Sequence, residues 1–156
     1  MPRTRIVTGR DDLEACWRIR WEVFVEEQHV PGDEEIDALD TDPTTTHVLA
    51  TVDRAGGEDP VATARLLPAG PGLVRIGRVA VLRGARGTGA GRAVMQALHD
   101  VAVGEHLGPD GSVRVDIEAQ EHAIAFYDRL GYELVSQHRY LDAGIWHKDM
   151  ALTLRH

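Results

Sequence analysis

The sequence has one cysteine, Cys16, and one lysine, Lys148, among its 156 residues. A single thiol excludes an internal disulfide and any zinc site built on cysteine pairs. A single lysine, far from any glycine-rich stretch, removes the Gly-Lys-Ser/Thr ending that a P-loop requires. Positive charge is scarce overall: 17 Lys+Arg stand against 25 Asp+Glu, a formal charge of −8. A body this acidic is a poor non-specific binder of nucleic acid or anionic membrane, because phosphate contacts need dense positive charge. No run reaches the roughly 18 apolar residues of a membrane-spanning helix. The opening Met1-Pro-Arg-Thr-Arg-Ile-Val7 lacks the apolar stretch of a secretory signal. The expectation is a cytoplasmic protein with no nucleic-acid or membrane partner. Its eight histidines show no H-x-x-x-H spacing, so no metal is expected either.

What is present reads as globular. Hydrophobic residues make up 43% and charged residues 27%, close to the average for folded domains. A chain of this length buries roughly 70% of its unfolded surface, and residues 1–156 read as one domain with no internal repeat. Strands are expected at residues 4–8, 47–53, 61–67, 73–82, 113–119, 133–138 and 146–154. The clearest is 113–119, where Val113, Val115, Ile117 and Ala119 alternate with Arg114, Asp116 and Glu118. A first helix, capped by Asp11 or Asp12, carries Leu13, Cys16, Trp17, Arg20 and Phe24 on one face. A second helix carries Ala90, Val94, Leu98 and Val101. A third carries Ala123, Phe126, Tyr127 and Leu130, with Gly131 just past its end. Residues 26–42 read as an acidic, weakly structured connection. Strands and helices in this order make an α/β sandwich of three layers, with about four helices around a mixed, mostly antiparallel sheet.

The most informative stretch runs from Gly77 to Arg92. A strand enters a turn with glycines at 84, 87, 89 and 91, and a helix begins there. Glycine lets backbone approach a ligand closely, and a helix start offers unpaired N–H groups and a positive dipole end. Arg83, Arg86 and Arg92 add local positive charge, so a phosphate-bearing ligand fits. A dinucleotide pattern G-x-G-x-x-G begun at Gly87 or Gly89 fails, since Arg92 and Val94 stand where its last glycine is needed.

Arg86-x-x-Gly89-x-Gly91, after Val79-Ala80-Val81, resembles the R/Q-x-x-G-x-G/A signature of the GCN5-related N-acetyltransferase (GNAT) superfamily. Gln120-x-x-Ala123-x-x-x-Tyr127-x-x-x-Gly131-Tyr132 is similar to the family's N-x-x-A-x-x-x-Y-x-x-x-G-F segment, with Gln120 in place of the usual Asn. The ElaA-like branch is resembled over nearly the whole chain: Val23-Phe-Val-Glu-Glu-Gln28, Glu35-x-Asp37-x-x-Asp40, His47, Ala64-Arg65-Leu66, and Ile145-x-His147-x-x-Met150, where Trp146 replaces an expected Pro.

The resemblance implies a GNAT-like fold and an acetyl-CoA-dependent N-acetyltransferase. Its coenzyme A pyrophosphate would lie on the loop, Arg86, Gly87, Thr88, Gly89, Ala90, Gly91 and Arg92, with Gln120 nearby. The pantetheine arm would pair with Val79, Ala80 and Val81, where a backbone N–H polarises the thioester carbonyl. An amine of a small molecule or peptide would then attack directly, and Cys16, remote from these motifs, offers no covalent route. Tyr127 is the implied general acid. An ordinary phenol stands about 1.5 units above a cysteine-like thiol, roughly 2 kcal/mol uphill. An alkylammonium must also lose a proton, which costs about 4–5 kcal/mol at neutral pH, and Glu118 is the candidate base, acting through water. Glu27, Gln28, Asp37, Asp40, His47, Arg65 and His147 are the candidate acceptor-contact residues. Dimers are common in the superfamily, so a homodimer is an open alternative. Two other readings remain at this stage: an acyl-homoserine-lactone-synthase-like acyltransferase, suggested by Arg20, Phe24, Glu35, Asp37, Asp40 and Arg65, and a non-catalytic acyl-CoA sensor.

Overall fold

The computed structural model describes residues 2–156. β1 (Arg3–Ile6) is the outer strand beside β2 (Thr46–Arg54), and β2, β3 (Gly57–Gly70) and β4 (Leu73–Val81) follow as an antiparallel meander. β5 (Ser112–Gln120) joins parallel to β4, as a crossover through a helix requires. β8 (Ile145–Arg155) returns antiparallel along the full length of β5. β6 (Glu133–Leu134) and β7 (Tyr140–Asp142) both pair with β8. All eight strands form one mixed, mostly antiparallel sheet, seven of them in the order β1-β2-β3-β4-β5-β8-β6 and β7 paired to β8 off that path.

Alternation along the strands sorts the core onto two faces. On one face, Val113, Val115, Ile117 and Ala119 of β5 meet Val94, Met95 and Leu98 of α3 (Ala90–Glu105), and Tyr127 of α4 (Ile124–Arg129) joins them. On the other, Ala15, Cys16 and Ile19 of α1 (Arg10–Arg20) pack on Leu49 and Ala80. Burying one fully packed Leu or Val is worth about 1.5–3 kcal/mol, and these two layers supply most such residues. Among the described residues, no helix is long and apolar enough to cross a membrane.

Four local features differ from the sequence expectation. The first helix is capped by Gly9, without a side-chain bond. Asp11 and Asp12 sit inside its first turn, and Asp12 is taken by Arg5 at 2.8 Å. The helix also continues past Arg20 as a π-helical segment, Trp21–Glu27. The acidic connection is ordered into α2 (Gly32–Glu35) and a tight turn, Ala38–Thr41, built by charge pairing that apolar periodicity does not register. The strand expected at 133–138 shrinks to two residues, and the pairing passes to β7, whose hairpin turn holds Ala143 and Gly144 at φ 50° and 78°.

Candidate active site

β4 and β5 stay paired for only three residues, Leu73↔Arg114, Val74↔Val115 and Arg75↔Asp116, and then separate. The cause is a bulge in β4. Its register against β3 steps from Arg65↔Gly77 to Thr63↔Ala80, one residue more on β4, and Arg78 takes a left-handed φ of 52° to absorb it. The separation opens a cleft of about 1110 Å³ between the two strands, large enough for an extended ligand and a second molecule.

Past the bulge, the Leu82 N–H bonds Val61 on β3. By alternation the peptide groups of Val79 and Val81 point the other way, into the open edge. Val81 confirms this: its carbonyl accepts from Arg86 Nε at 3.1 Å. Ala80 turns its peptide toward β3 and its side chain under α1. It does not line the cleft, so only Val79 and Val81 of the expected trio face it.

The glycine loop closes one end. Gly87 and Gly89 hold φ of 79° and 90°, and a Cβ on either would point into open space, so the loop leaves room against its backbone. At Gly91 the reason for glycine is packing: a Cβ would meet Phe126 Cζ at 3.3 Å and Val81 Cγ2 at 3.4 Å, which locks the loop onto α4 and β4. The Arg86 N–H is used by Arg83 and that of Thr88 by Ala85. Thr88 lies outside the cleft lining. The N–H groups of Ala90, Gly91 and Arg92 lack intrahelical partners by position, and those of Gly87 and Gly89 have no backbone acceptor among the described residues. These five form the anion cradle, beside the positive end of a 16-residue helix. Arg86 itself is a strut: it clamps Glu27 through two bonds of 2.8 and 2.9 Å, which holds the Glu27 carboxyl below the usual range.

Tyr127 reaches the cleft from α4. Its ring packs edge-on against Phe126 and Tyr132 at 5.0 and 5.8 Å, and it lines the cleft although only 8% exposed. Burial pushes its phenol well above the ordinary value. This corrects the simple estimate from model phenols: proton donation from Tyr127 is steeper than roughly 2 kcal/mol unless the sulfur it serves is equally desolvated.

The acceptor side divides sharply. Glu27 and Gln28 are carried to the cleft by the π-helical segment, a distortion frequent at functional sites. Gln28 exchanges two amide bonds, 3.2 and 2.8 Å, with Gln120, bridging the segment to the end of β5. Asp37, Asp40 and His47 are not cleft residues. Arg20, 1% exposed, binds Glu35 at 2.7 Å and Asp40 at 2.6 and 3.0 Å. Arg65 binds Asp37 at 2.7 Å and Asp40 at 2.9 Å. Arg78 reaches the Glu35 carbonyl and Asp37 from the bulge, and His47 Nε2 bonds the Asp40 carbonyl at 3.0 Å. Burial would raise Asp40, but bonds and charge from Arg20, the Asp37 N–H and Arg65 prevail and hold its carboxyl near 2. Burial keeps His47 below its ordinary value, so it is neutral. Of the expected acceptor contacts, Asp37, Asp40 and His47 thus brace the segment from beneath. Arg65 borders the cleft with its terminal nitrogens already engaged.

The opposite wall brings together Glu118, Gln120 and His147, expected from the sequence, with Asp149 and Tyr140, which sequence reasoning missed. Glu118 pairs in register with Asp149, Gln120 with His147, and His147 with Tyr140, so all five side chains share one face. Tyr140 donates to Asp149 at 2.6 Å and stacks on His147 at 5.8 Å. The Asp142-Ala143-Gly144 turn was the one available signal for this hairpin.

A model of the acetyltransferase (GNAT) family matches residues 13–132. The chain belongs to this family. The uncharacterized N-acetyltransferase YjcF of Bacillus subtilis is 34% identical over 145 residues, covering 93% of this chain and 95% of that protein. The structure of Escherichia coli ElaA superimposes with a TM-score of 0.81 at 29% identity, covering 97% and 99% of the two chains. An acyl-CoA N-acyltransferase from Pseudomonas aeruginosa superimposes at 0.79 with 33% identity over the same shares. This GNAT chain is therefore an acyl-CoA N-acyltransferase, with an acyl-CoA co-substrate and an amine acceptor. The cleft fits such a thioester: an anion cradle at one end, an unpaired strand edge along the middle, a phenol in its lining. Cys16, fully buried beneath the sheet with its thiol pushed up by burial, stands outside it.

Proposed function

We propose that the protein moves an acetyl group from acetyl-CoA to the primary amine of a small molecule or peptide, by direct attack with both substrates bound. The observation that carries this reading is the arrangement of donors along one cleft. The N–H groups of Gly87, Gly89, Ala90, Gly91 and Arg92 receive the pyrophosphate. The free edge of β4 pairs with the pantetheine amides. The N–H of Val79 or Val81 points at the thioester carbonyl, where charge grows during attack, and a preorganised donor of this kind is worth about 10²–10³ in rate. Tyr127, kept protonated by burial, donates to the departing sulfur. The inaccessibility of Cys16 favours direct attack over an acyl-enzyme.

Glu118 and Asp149 give the acceptor end a negative wall that suits a cationic amine, and Glu27 and Gln28 line the facing side. Glu35, Asp37 and Asp40 of the α1–β2 connection are already paired with three arginines, so they add little to this attraction. The test is thiol release from acetyl-CoA in the presence of a panel of primary amines, with carboxylic acids and alcohols as controls. Amine-dependent release, lost in Tyr127→Phe, supports the reading. Release with no amine selectivity, or none from any acceptor while acetyl-CoA binds, contradicts it.

A further inference from the structure

The reaction needs a group that takes a proton from the incoming ammonium, and we infer that His147 is that base. The inference rests on the proposed acetyl transfer and adds to it the identity of the proton acceptor. His147 is on β8, directly opposite Gln120 at the end of β5, and it lines the cleft. Its Nδ1 lies 2.7 Å from the Ile145 carbonyl. A carbonyl only accepts, so Nδ1 carries the hydrogen and, in the neutral ring, Nε2 holds the lone pair. The ring cannot swing away to swap these roles. It is 8% exposed and stacked at 19° on Tyr140, which is itself fixed by its bond to Asp149. Nε2 has no hydrogen-bond partner among the described residues, unlike His47, whose Nε2 is spent on the Asp40 carbonyl, and His99, whose Nε2 meets the Tyr132 hydroxyl at 2.6 Å. Of the three buried histidines, His147 alone offers a fixed, unused lone pair to the cleft.

The groups that face His147 favour this task. From β5 come Glu118 and Gln120, from β8 Asp149, and from β7 Tyr140 and, two pairs further, Asp142. Gln28, just past the π-helical segment, reaches the same place through its bonds to Gln120. The charged members are all carboxylates. They attract an ammonium and stabilise an imidazolium once it forms, while the Tyr140 phenol, raised by burial, by its bond to Asp149 and by the Glu118 charge, stays a hydrogen-bond donor. Glu118 then acts as the electrostatic partner, and the role of base passes to the imidazole.

The protons balance as follows. The ammonium gives one proton to Nε2. The freed nitrogen forms the C–N bond to the acyl carbon as the C–S bond breaks. Tyr127 gives its hydroxyl proton to the sulfur and regains one from the same nitrogen, leaving a neutral amide and a thiol. The imidazolium returns its proton to water, so one proton is released per turnover.

The test compares two nucleophiles in wild type and His147→Asn. The Asn amide can keep the bond to the Ile145 carbonyl but has no lone pair at the Nε2 position. Propylamine is an ammonium at neutral pH and needs the base; hydroxylamine is already unprotonated and does not. The expected result, with acetyl-CoA as donor, is a loss of about 100-fold in kcat/KM for propylamine, a change of less than about threefold for hydroxylamine, and an unaltered thermal shift with acetyl-CoA. Equal losses with both nucleophiles would make His147 a packing residue and overturn the assignment, as would full propylamine activity in the variant. Wild type that binds acetyl-CoA and acetylates neither nucleophile overturns it too. Absence of acetyl-CoA binding by wild type strikes instead at the proposed donor.

Discussion

On one side of the cleft, Glu35, Asp37 and Asp40 are tied to Arg20, Arg65 and Arg78, and His47 to the Asp40 carbonyl. On the other, Glu118, Asp149 and His147 stand on the β5–β8 wall without an arginine partner, Arg114 of the same face being taken by Asp116. Both sets draw on carboxylates and imidazole, yet the first holds backbone in place and the second faces the ligand space. The difference lies in burial and pairing. Asp40 has no exposed side-chain surface and receives bonds from two guanidinium groups, so every lone pair it could offer is committed. The paired side also shapes the open one: Arg78, held by the Glu35 carbonyl and Asp37, is the left-handed residue of the β4 bulge that parts β4 from β5. Structural charge on one side therefore helps open the space that the unpaired carboxylates on the other side face.

The sharpest way to break this comparison is to remove an arginine from the paired side. Arg20→Ala leaves Glu35 and Asp40 buried without their main partner, and unpairing a buried charge costs roughly 3–5 kcal/mol. A fall in Tm on the order of 10 °C is expected. Glu118→Gln on the exposed wall should leave the melt unchanged and lower kcat/KM for an amine, about tenfold. If both variants melt alike, the division between bracing and reactive acids does not hold.

Next in size is Tyr127→Phe, which removes the one phenol that lines the cleft among the described residues. kcat is expected to fall about 100-fold with KM for acetyl-CoA nearly constant, as steady-state kinetics would show. A matching rise in KM would move Tyr127 from proton donation to binding.

Acid titration probes the paired side with the protein unmodified. Asp40 is depressed in the folded state, so its contribution is present above the unfolded value near 3.8 and is lost as pH falls through about 2. That difference is worth roughly 2 kcal/mol. Glu35, raised by burial in spite of Arg20 and Arg78, works in the opposite sense at milder acidity. Chemical denaturation followed against pH should show stability holding toward pH 4 and dropping steeply below it. In Asp40→Asn the steep limb should be shallower.

The smallest expected effect is at the loop. Gly89→Ala puts a Cβ at φ 90°, which strains the backbone by about 1–2 kcal/mol, or a five- to thirtyfold loss of acetyl-CoA affinity by calorimetry if the strain is relieved only by moving the cradle.

The strands and the glycine loop were legible in the sequence because their signals are local. Alternation in 113–119 predicts the face that Val113, Val115, Ile117 and Ala119 bury, and Gly87, Gly89 and Gly91 mark a loop whose backbone needs them. The acid run in 26–42 was legible only as charge. Whether Asp40 meets a ligand or an arginine depends on Arg20 and Arg65, 20 and 25 residues away in sequence and brought together by α1 and β3. The π-helical widening that turns Glu27 and Gln28 to the cleft, and the bulge at Arg78, have no periodic signature, since each shifts the register by about one residue. The β7–β8 hairpin escaped notice because three-residue strands carry too little alternation, and with it went the reason His147 matters.

The most direct test of the central claim, that the parted strands and glycine loop hold an acyl-CoA, is thermal melting with acetyl-CoA, CoA and ATP in parallel. At a ligand concentration of about 100 Kd the stabilisation is about 2.7 kcal/mol, a Tm rise on the order of 5–10 °C for a chain of this length. The structure predicts that rise with both CoA forms and little with ATP. No shift with acetyl-CoA at millimolar concentration, or an equal shift with ATP, would contradict it.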